Sequence, residues 1–182
     1  ELDRIIPKDF DSVSGSGHQS YFHSVMRDRK PEQYHAIRAF GAIGSGISYA
    51  IGVAAARRNG RVVLFEGDGS FLMHIQELET LKRQGYRILI CAMNDGGYGS
   101  EFHKLRADGI DDSLAVFGRP PLENIARGFG LRGHEIRDVS VIPKLFADFT
   151  AQGESEIWNI QISDKVTAPV IRQTIKRGHG NM

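Results

Sequence analysis

The sequence predicts an α/β fold: three layers, with a doubly wound, mainly parallel sheet and helices on both of its faces. Two observations carry this. Short apolar segments alternate with helical ones along all 182 residues, the pattern of repeated strand–helix–strand units. Within them, Arg61 to Gly99 reads as strand, acidic glycine turn, helix, strand and second acidic turn. A crossover helix between two strands makes them parallel and brings their C-terminal ends to one edge.

In chain order, Glu1 to Ile6 reads as the last turn of a helix, stopped by Pro7, and Asp9 to Val13 as a short strand. Ser14 to Gln19 is a polar glycine loop. Ser20 to Arg29 is a helical stretch with Ser20 as its N-cap, ended before Pro31. Ala36 to Phe40 is strand-like. Ile47 to Arg58 is a helix, because Ile47, Ala50, Ile51, Ala54 and Ala55 share one face. Its opposite face is also small (Ser48, Gly52, Ala56), so close packing on most sides is expected. Asn59-Gly60 is expected to close it.

Arg61 to Phe65 is the next strand, apolar and β-branched. Phe71 to Gln84 forms the crossover helix, with Leu72, Ile75, Leu78 and Leu81 on one stripe and Gly85 as its stop. Tyr86 to Met93 is a strand. Ser100 to Phe117 suggests a short helix and then a loop over the strand edge. Leu122 to Gly128 and Val139 to Gln152 are helices, the latter with Pro143 in its first turn. His134 to Arg137 and Glu156 to Ile162 are strands. The domain is expected to span 1–165. Residues 166–182 follow as a tail that is mobile or docks on a neighbour, with clear patterning only at Val170 to Lys176.

Composition is that of an ordinary globular domain, 41% hydrophobic and 25% charged with a net charge of +1. This argues against a nucleic-acid partner, and the absence of a long apolar run argues against a membrane span. The single Cys91 lies in an apolar strand and reads as a reduced core residue, which fits a cytoplasmic setting. The chain begins at Glu1 and not at Met, which suggests that further sequence precedes it.

The two acidic turns carry the chemistry. Asp68, in Glu66-Gly67-Asp68-Gly69-Ser70, and Asp95, in Asn94-Asp95-Gly96-Gly97-Tyr98-Gly99, each follow an apolar strand with glycine beside them. In open parallel sheets that edge is where ligands bind. Two hard oxygen donors there, beside turns offering backbone N–H groups, suit a divalent cation holding a phosphate ester. Alone, Asp68 would read as a helix cap; paired with Asp95 it reads as a ligand. A dinucleotide fingerprint at Gly41 to Gly46 is the weaker alternative, because the order is Gly-x-x-Gly-x-Gly.

Gly67-Asp68-Gly69-Ser70 followed by Asn94-Asp95 resembles the signature of thiamine-diphosphate enzymes of the acetolactate synthase, pyruvate decarboxylase and benzoylformate decarboxylase group. The resemblance covers nearly the whole chain and matches the C-terminal, diphosphate-binding domain of these enzymes. It implies the thiamine-diphosphate-binding fold, with thiamine diphosphate and Mg2+ as cofactors. Asp68, Asp95 and the Gly97 carbonyl would be the metal ligands. Gly67, Gly69 and Ser70 would hold the diphosphate, and Tyr98 and Gly99 would complete the second turn. The family usually has Asn-Asn where this chain has Asn94-Asp95, so one extra negative charge is expected beside the diphosphate. Gly17-His18-Gln19 resembles the family's glycine-polar-polar loop, implying diphosphate contacts. Gly41-Ala42-Ile43-Gly44 resembles its Gly-x-Met-Gly loop. There Ile43 would be the wedge that bends the cofactor, and the Gly41 carbonyl would meet the aminopyrimidine. His74 and His103 are secondary candidates near the site.

The resemblance further implies a decarboxylase or carboligase for a small 2-oxo acid, acetolactate-synthase-like, in a homodimer or homotetramer. The family's catalytic glutamate sits on a pyrimidine-binding domain of the same or a neighbouring subunit. No catalytic residue is therefore assigned in this chain, and alone it should be inactive. The alternative is a non-catalytic cofactor-binding or regulatory partner subunit.

Overall fold

The structure, a computed structural model, describes residues 1–37 and 39–173. Its strands are β1 (Asp11–Ser14), β2 (Tyr34–Ala36), β3 (Val62–Gly67), β4 (Ile88–Asn94), β5 (Arg132–Ile136) and β6 (Glu156–Gln161). They form one sheet in the order β2-β1-β3-β4-β6-β5, and every pairing is parallel. The helices are α1 (Leu2–Ile5), α2 (Gln19–His23), α3 (Gly46–Arg57), α4 (Asp68–Leu72), α5 (Glu77–Gln84), α6 (Gly99–Ala107), α7 (Leu122–Gly128) and α8 (Ile142–Gln152).

Alternation along the central strands makes the three layers. Val62, Leu64, Ile88, Ile90 and Ala92 point to one face, where they pack with Ile47, Ala50 and Ala54 of α3, Phe71 of α4, Leu78 and Leu81 of α5 and Leu122 and Ala126 of α7. Val63, Phe65, Leu89 and Cys91 point to the other, where they meet Ile6, Phe10 and the α8 residues Ile142, Phe146 and Phe149. Both faces are covered, so the central strands read as continuous apolar runs. Cys91 is a buried thiol in this second core, and burial pushes its pKa up. Among the described residues no helix is long and apolar enough to cross a membrane.

Several elements differ from expectation in instructive ways. The crossover helix is two helices, α4 and α5, separated by a turn at Met73–Gln76. The break lets Met73 swing over the Gly44 loop, where a Cβ on Gly44 would lie 2.9 Å from that of Met73. Only Leu78 and Leu81 of the expected apolar stripe are then fully buried, while Leu72 and Ile75 pack at the margin. The left-handed residue that ends α3 is Arg58 (φ 53°), just before Asn59-Gly60. The stretch after β1 forms only the short α2, and β2 lies earlier than Ala36–Phe40 because Tyr34, His35 and Ala36 register against Ser12, Val13 and Ser14.

The segment after β6 packs on its own chain. Arg106 Nη1 donates to the Asp164 carbonyl (2.8 Å), Ala168 N donates to His18 Nε2 (3.0 Å), and Ala168 and Ile171 are buried. The rest of the Val170–Lys176 pattern, together with His179, extends outside the described residues.

Topology creates the crevice. From β1 the chain leaves to β2 on one side; from β3 it leaves to β4 on the other. The loops above the neighbouring strands β1 and β3 therefore diverge, and a cleft opens at their C-terminal ends.

Candidate cofactor site

β3 and β4 end side by side, with Gly67 opposite Met93. The chain passes from extended Gly67 (φ −80°, ψ 153°) straight into α4, so Asp68 and the first free N–H groups of that helix share one position. Asp68 ties the two turns together. Its Oδ1 accepts from Gly69 N and its Oδ2 from Gly96 N on the β4 turn, each at 2.8 Å. Asp95 lies over the start of α6, where a Cβ on Gly99 would fall 2.5 Å from Asp95 Oδ2. The β4 turn is pinned from outside by residues 113–118. Tyr98 N donates to the Ala115 carbonyl (2.8 Å), and Phe117 N and Gly118 N donate to the Gly96 carbonyl (both 3.0 Å). Among the described residues no hydrogen bond uses the Gly97 carbonyl.

These turns, the Ser16–Gln19 loop and Ile43 enclose a cavity of about 380 Å3. Every contact residue expected from sequence lines it except Gly41. Gly41 is exposed, and its carbonyl accepts from Ser16 Oγ (2.9 Å). Ser70 Oγ accepts from Gly44 N (2.7 Å), joining the α4 turn to the Ile43 loop. Gln19 Nε2 braces the Gly15 and Ser16 carbonyls (3.2 Å each). His18 packs its ring on His103, with centroids 4.7 Å apart, and burial holds its pKa down at about 4. His103 is buried outside the cavity and bonds to Thr167 Oγ1 through Nδ1 (3.1 Å). His74 is bonded to Ser48 (3.1 Å), away from the cavity.

Sequence reasoning missed Met73, Met93, Glu101 and Ile162, which also line the cavity. No motif marks them, although Met93 and Ile162 are both at strand ends. It also passed over Glu66, which is fully buried.

A family model described as "Thiamine pyrophosphate enzyme, C-terminal TPP binding domain" matches residues 15–156. The chain belongs to this family. It is 29% identical over 121 residues to the acetolactate synthase isozyme 2 large subunit of Escherichia coli, covering 65% of this chain and 22% of that protein. It is 26% identical over 171 residues to the 3D-(3,5/4)-trihydroxycyclohexane-1,2-dione hydrolase of Geobacillus thermodenitrificans, covering 86% and 25%. The fold matches that of the Rhodococcus jostii RHA1 thiamine diphosphate-dependent 4-hydroxybenzoylformate decarboxylase with a TM-score of 0.75 at 25% identity, covering 89% of this chain and 31% of that one. The chain thus spans less than a third of the length of each of these proteins. It is a thiamine-diphosphate-binding domain of acetolactate-synthase-like enzymes.

The donor set fits the cofactor in a specific way. Among the described residues the cavity is lined by Asp68, Asp95 and Glu101, and by no Lys or Arg. An anionic diphosphate is repelled by such a wall unless a cation stands between them. Among the described residues no group of three or more His, Cys, Asp or Glu side chains could hold a metal by itself. Two carboxylates and one carbonyl are too few for octahedral magnesium, so diphosphate oxygens and water would complete the shell. Burial pushes the Asp68 carboxyl up to about 6. Burial first and the Asp68 charge second push Asp95 up to about 7. Burial thus dominates both shifts, and at Asp95 the Arg119 charge offsets only part of it.

Gly97 has no room for a side chain. A Cβ there would lie 2.4 Å from the Ala115 carbonyl oxygen and 3.2 Å from Val116 Cα, both backbone. Gly97→Ala is expected to push residues 113–117 off the turn and cost about 2 kcal/mol. Thermal unfolding checks this, the expected result being a clear fall in Tm.

Proposed function

We propose that this domain binds magnesium thiamine diphosphate for an acetolactate-synthase-like 2-oxo acid decarboxylase or carboligase. One observation carries the reading: an acidic cavity, without cationic side chains among the described residues, sits at helix and turn N–H groups suited to phosphate. Asp68, Asp95 and the Gly97 carbonyl would hold the metal. The α4 start, with Gly69 and Ser70, and the Gly17-His18-Gln19 loop would hold the diphosphate. Ile43, on the cavity wall, would set the bend of the cofactor. When bound, thiamine diphosphate supplies an electron sink for the carbon that loses carbon dioxide.

The chain's own residues position and exclude. Tyr98 stacks over Gly69, where a Cβ would meet its ring at 2.7 Å, and packs edge-on against Phe117 at 5.3 Å. The two rings close one side of the diphosphate turn to water. His18, held neutral, can contribute a hydrogen bond without adding charge. The glutamate that drives proton transfer would come from a pyrimidine-binding domain of the same or a neighbouring subunit. A homodimer or homotetramer is the assembly proposed, and a cytoplasmic setting accords with the free, buried Cys91.

Calorimetric titration tests the reading. Thiamine diphosphate is expected to bind this chain weakly, only with magnesium present, and to be released by a chelator. Without the pyrimidine-binding domain, no carbon dioxide should be released from pyruvate or an aromatic 2-oxo acid. Binding that is indifferent to the chelator, or turnover by this chain alone, contradicts the proposal.

A further inference from the structure

Glu66 is the last side chain of β3 to point toward α3, and it is 0% exposed. Its carboxyl is wedged between two backbones. A Cβ on Gly15 would lie 2.1 Å from Oε1, and a Cβ on Gly46 would lie 1.5 Å from Oε2. A side chain at either position would displace the Glu66 carboxyl. The Ser70 hydroxyl and the N–H groups of Gly67 and Gly46 surround the carboxyl, yet none reaches full hydrogen-bond geometry with either oxygen. Beside it Leu64 fills the same face as core, so an apolar residue would satisfy packing at lower desolvation cost.

What Glu66 touches explains its presence. Gly15 precedes the Ser16–Gln19 loop and is fixed to β3 by Gly15 N donating to the Phe65 carbonyl (3.0 Å). Gly46 is the first residue of α3, whose N-terminal N–H groups carry partial positive charge and receive no cap from Ser45. Ser70, beside Glu66, holds Gly44 N. The carboxyl thus meets the start of α3 and, through Ser70, the loop that precedes it. That loop carries Ile43 into the cavity.

We propose that Glu66 is a positioning residue: its buried carboxyl caps the start of α3 and braces the Gly41–Gly46 loop against the diphosphate turn, setting the height of Ile43 beneath the cofactor. This rests on the reading that the cavity takes magnesium thiamine diphosphate. The diphosphate half of the site is built on α4, the β4 turn and the Gly17–Gln19 loop, which Glu66 reaches only through Gly15, so the brace should matter more for the ring half than for the phosphates.

Two probes separate the halves: magnesium pyrophosphate, which reports the diphosphate subsite, and magnesium thiamine diphosphate, which reports the whole. Calorimetry on the intact protein is expected to show Glu66→Ala weakening thiamine diphosphate about tenfold or more while pyrophosphate affinity stays within about twofold. Glu66→Gln, which keeps length and polarity, should restore most of the loss, and Glu66→Asp should fall between. An equal loss for both probes, or no loss for either, overturns the proposal. If the unaltered protein binds neither probe, the cofactor reading fails, and the role given to Glu66 fails with it.

A cycle without ligand tests the brace itself. Gly46→Ala should lower Tm sharply in the native background and much less in the Glu66→Ala background, where the clash is gone. Equal losses in both backgrounds overturn the contact.

Discussion

Asp68→Ala abolishes magnesium-dependent binding of thiamine diphosphate, lowering affinity by more than about a hundredfold. The expectation follows from what one carboxylate does here. Its two oxygens accept from Gly69 N and Gly96 N, so it is the strut between the β3 and β4 turns as well as a proposed metal ligand. Alanine removes a hard oxygen ligand, leaves two N–H groups without their acceptor, and lets the β4 turn with Gly97 drift from the α4 start. Each lost charge-assisted bond costs about 1.5–3 kcal/mol of fold stability, while the lost oxygen ligand is what lowers the affinity for the cation. Asp68→Asn separates the parts. Its amide oxygen keeps one acceptor but no charge, so the fold should hold while metal affinity falls. The measurement is the rise in Tm on adding magnesium and thiamine diphosphate. Wild type should rise, Asp68→Asn less, and Asp68→Ala not at all. A full rise in Asp68→Ala would place the cation elsewhere.

The layered fold was legible because β3 and β4 are buried on both faces by ordinary hydrophobic patterning, and because a crossover fixes their parallel sense. The site was legible for a related reason. Asp68 and Asp95 follow directly from strand ends, and strand ends in such a sheet converge on one edge. What stayed hidden depends on through-space neighbours. The turn at Met73–Gln76 was invisible, because Leu72, Ile75, Leu78 and Leu81 have helical spacing whether or not the helix is continuous; the break coincides with the packing of Met73 on Gly44, a contact that exists only in the fold. Glu66 was passed over because a Glu at a strand end reads as polar and exposed. Its burial depends on Gly15 and Gly46, which approach it only in the fold. His18 and His103 lie far apart in sequence, and the Ala168 contact with His18 spans most of the chain, so no local pattern announces either.

Asp95→Asn should make the cofactor-free domain more stable and the metal site weaker, and the two effects should part company with pH. Burial and the neighbouring Asp68 charge raise the Asp95 carboxyl from 3.8 to about 7. A raised carboxyl means that the folded state holds a proton the unfolded chain releases. Below about pH 4 both states are protonated, and Asp95 costs nothing. As pH rises toward 7 the unfolded chain ionises first, and the folded state pays increasingly; above about 7 the cost is complete. Asparagine removes this cost without changing the shape. The apo variant should therefore match wild type near pH 4 and exceed it by up to about 4 kcal/mol at pH 8. Under the proposed function magnesium would reverse the sign, since the bound ion would supply a counter-charge and a carboxylate would hold it better than an amide does. Apparent magnesium affinity in the presence of thiamine diphosphate should fall about tenfold, a change of about 1.4 kcal/mol. Denaturant unfolding at pH 5 and pH 8, with and without magnesium and cofactor, reads both effects. A variant whose apo stability gain is the same at the two pH values shows that the Asp95 charge is not the cause. A variant with unchanged magnesium dependence shows that Asp95 does not hold the ion.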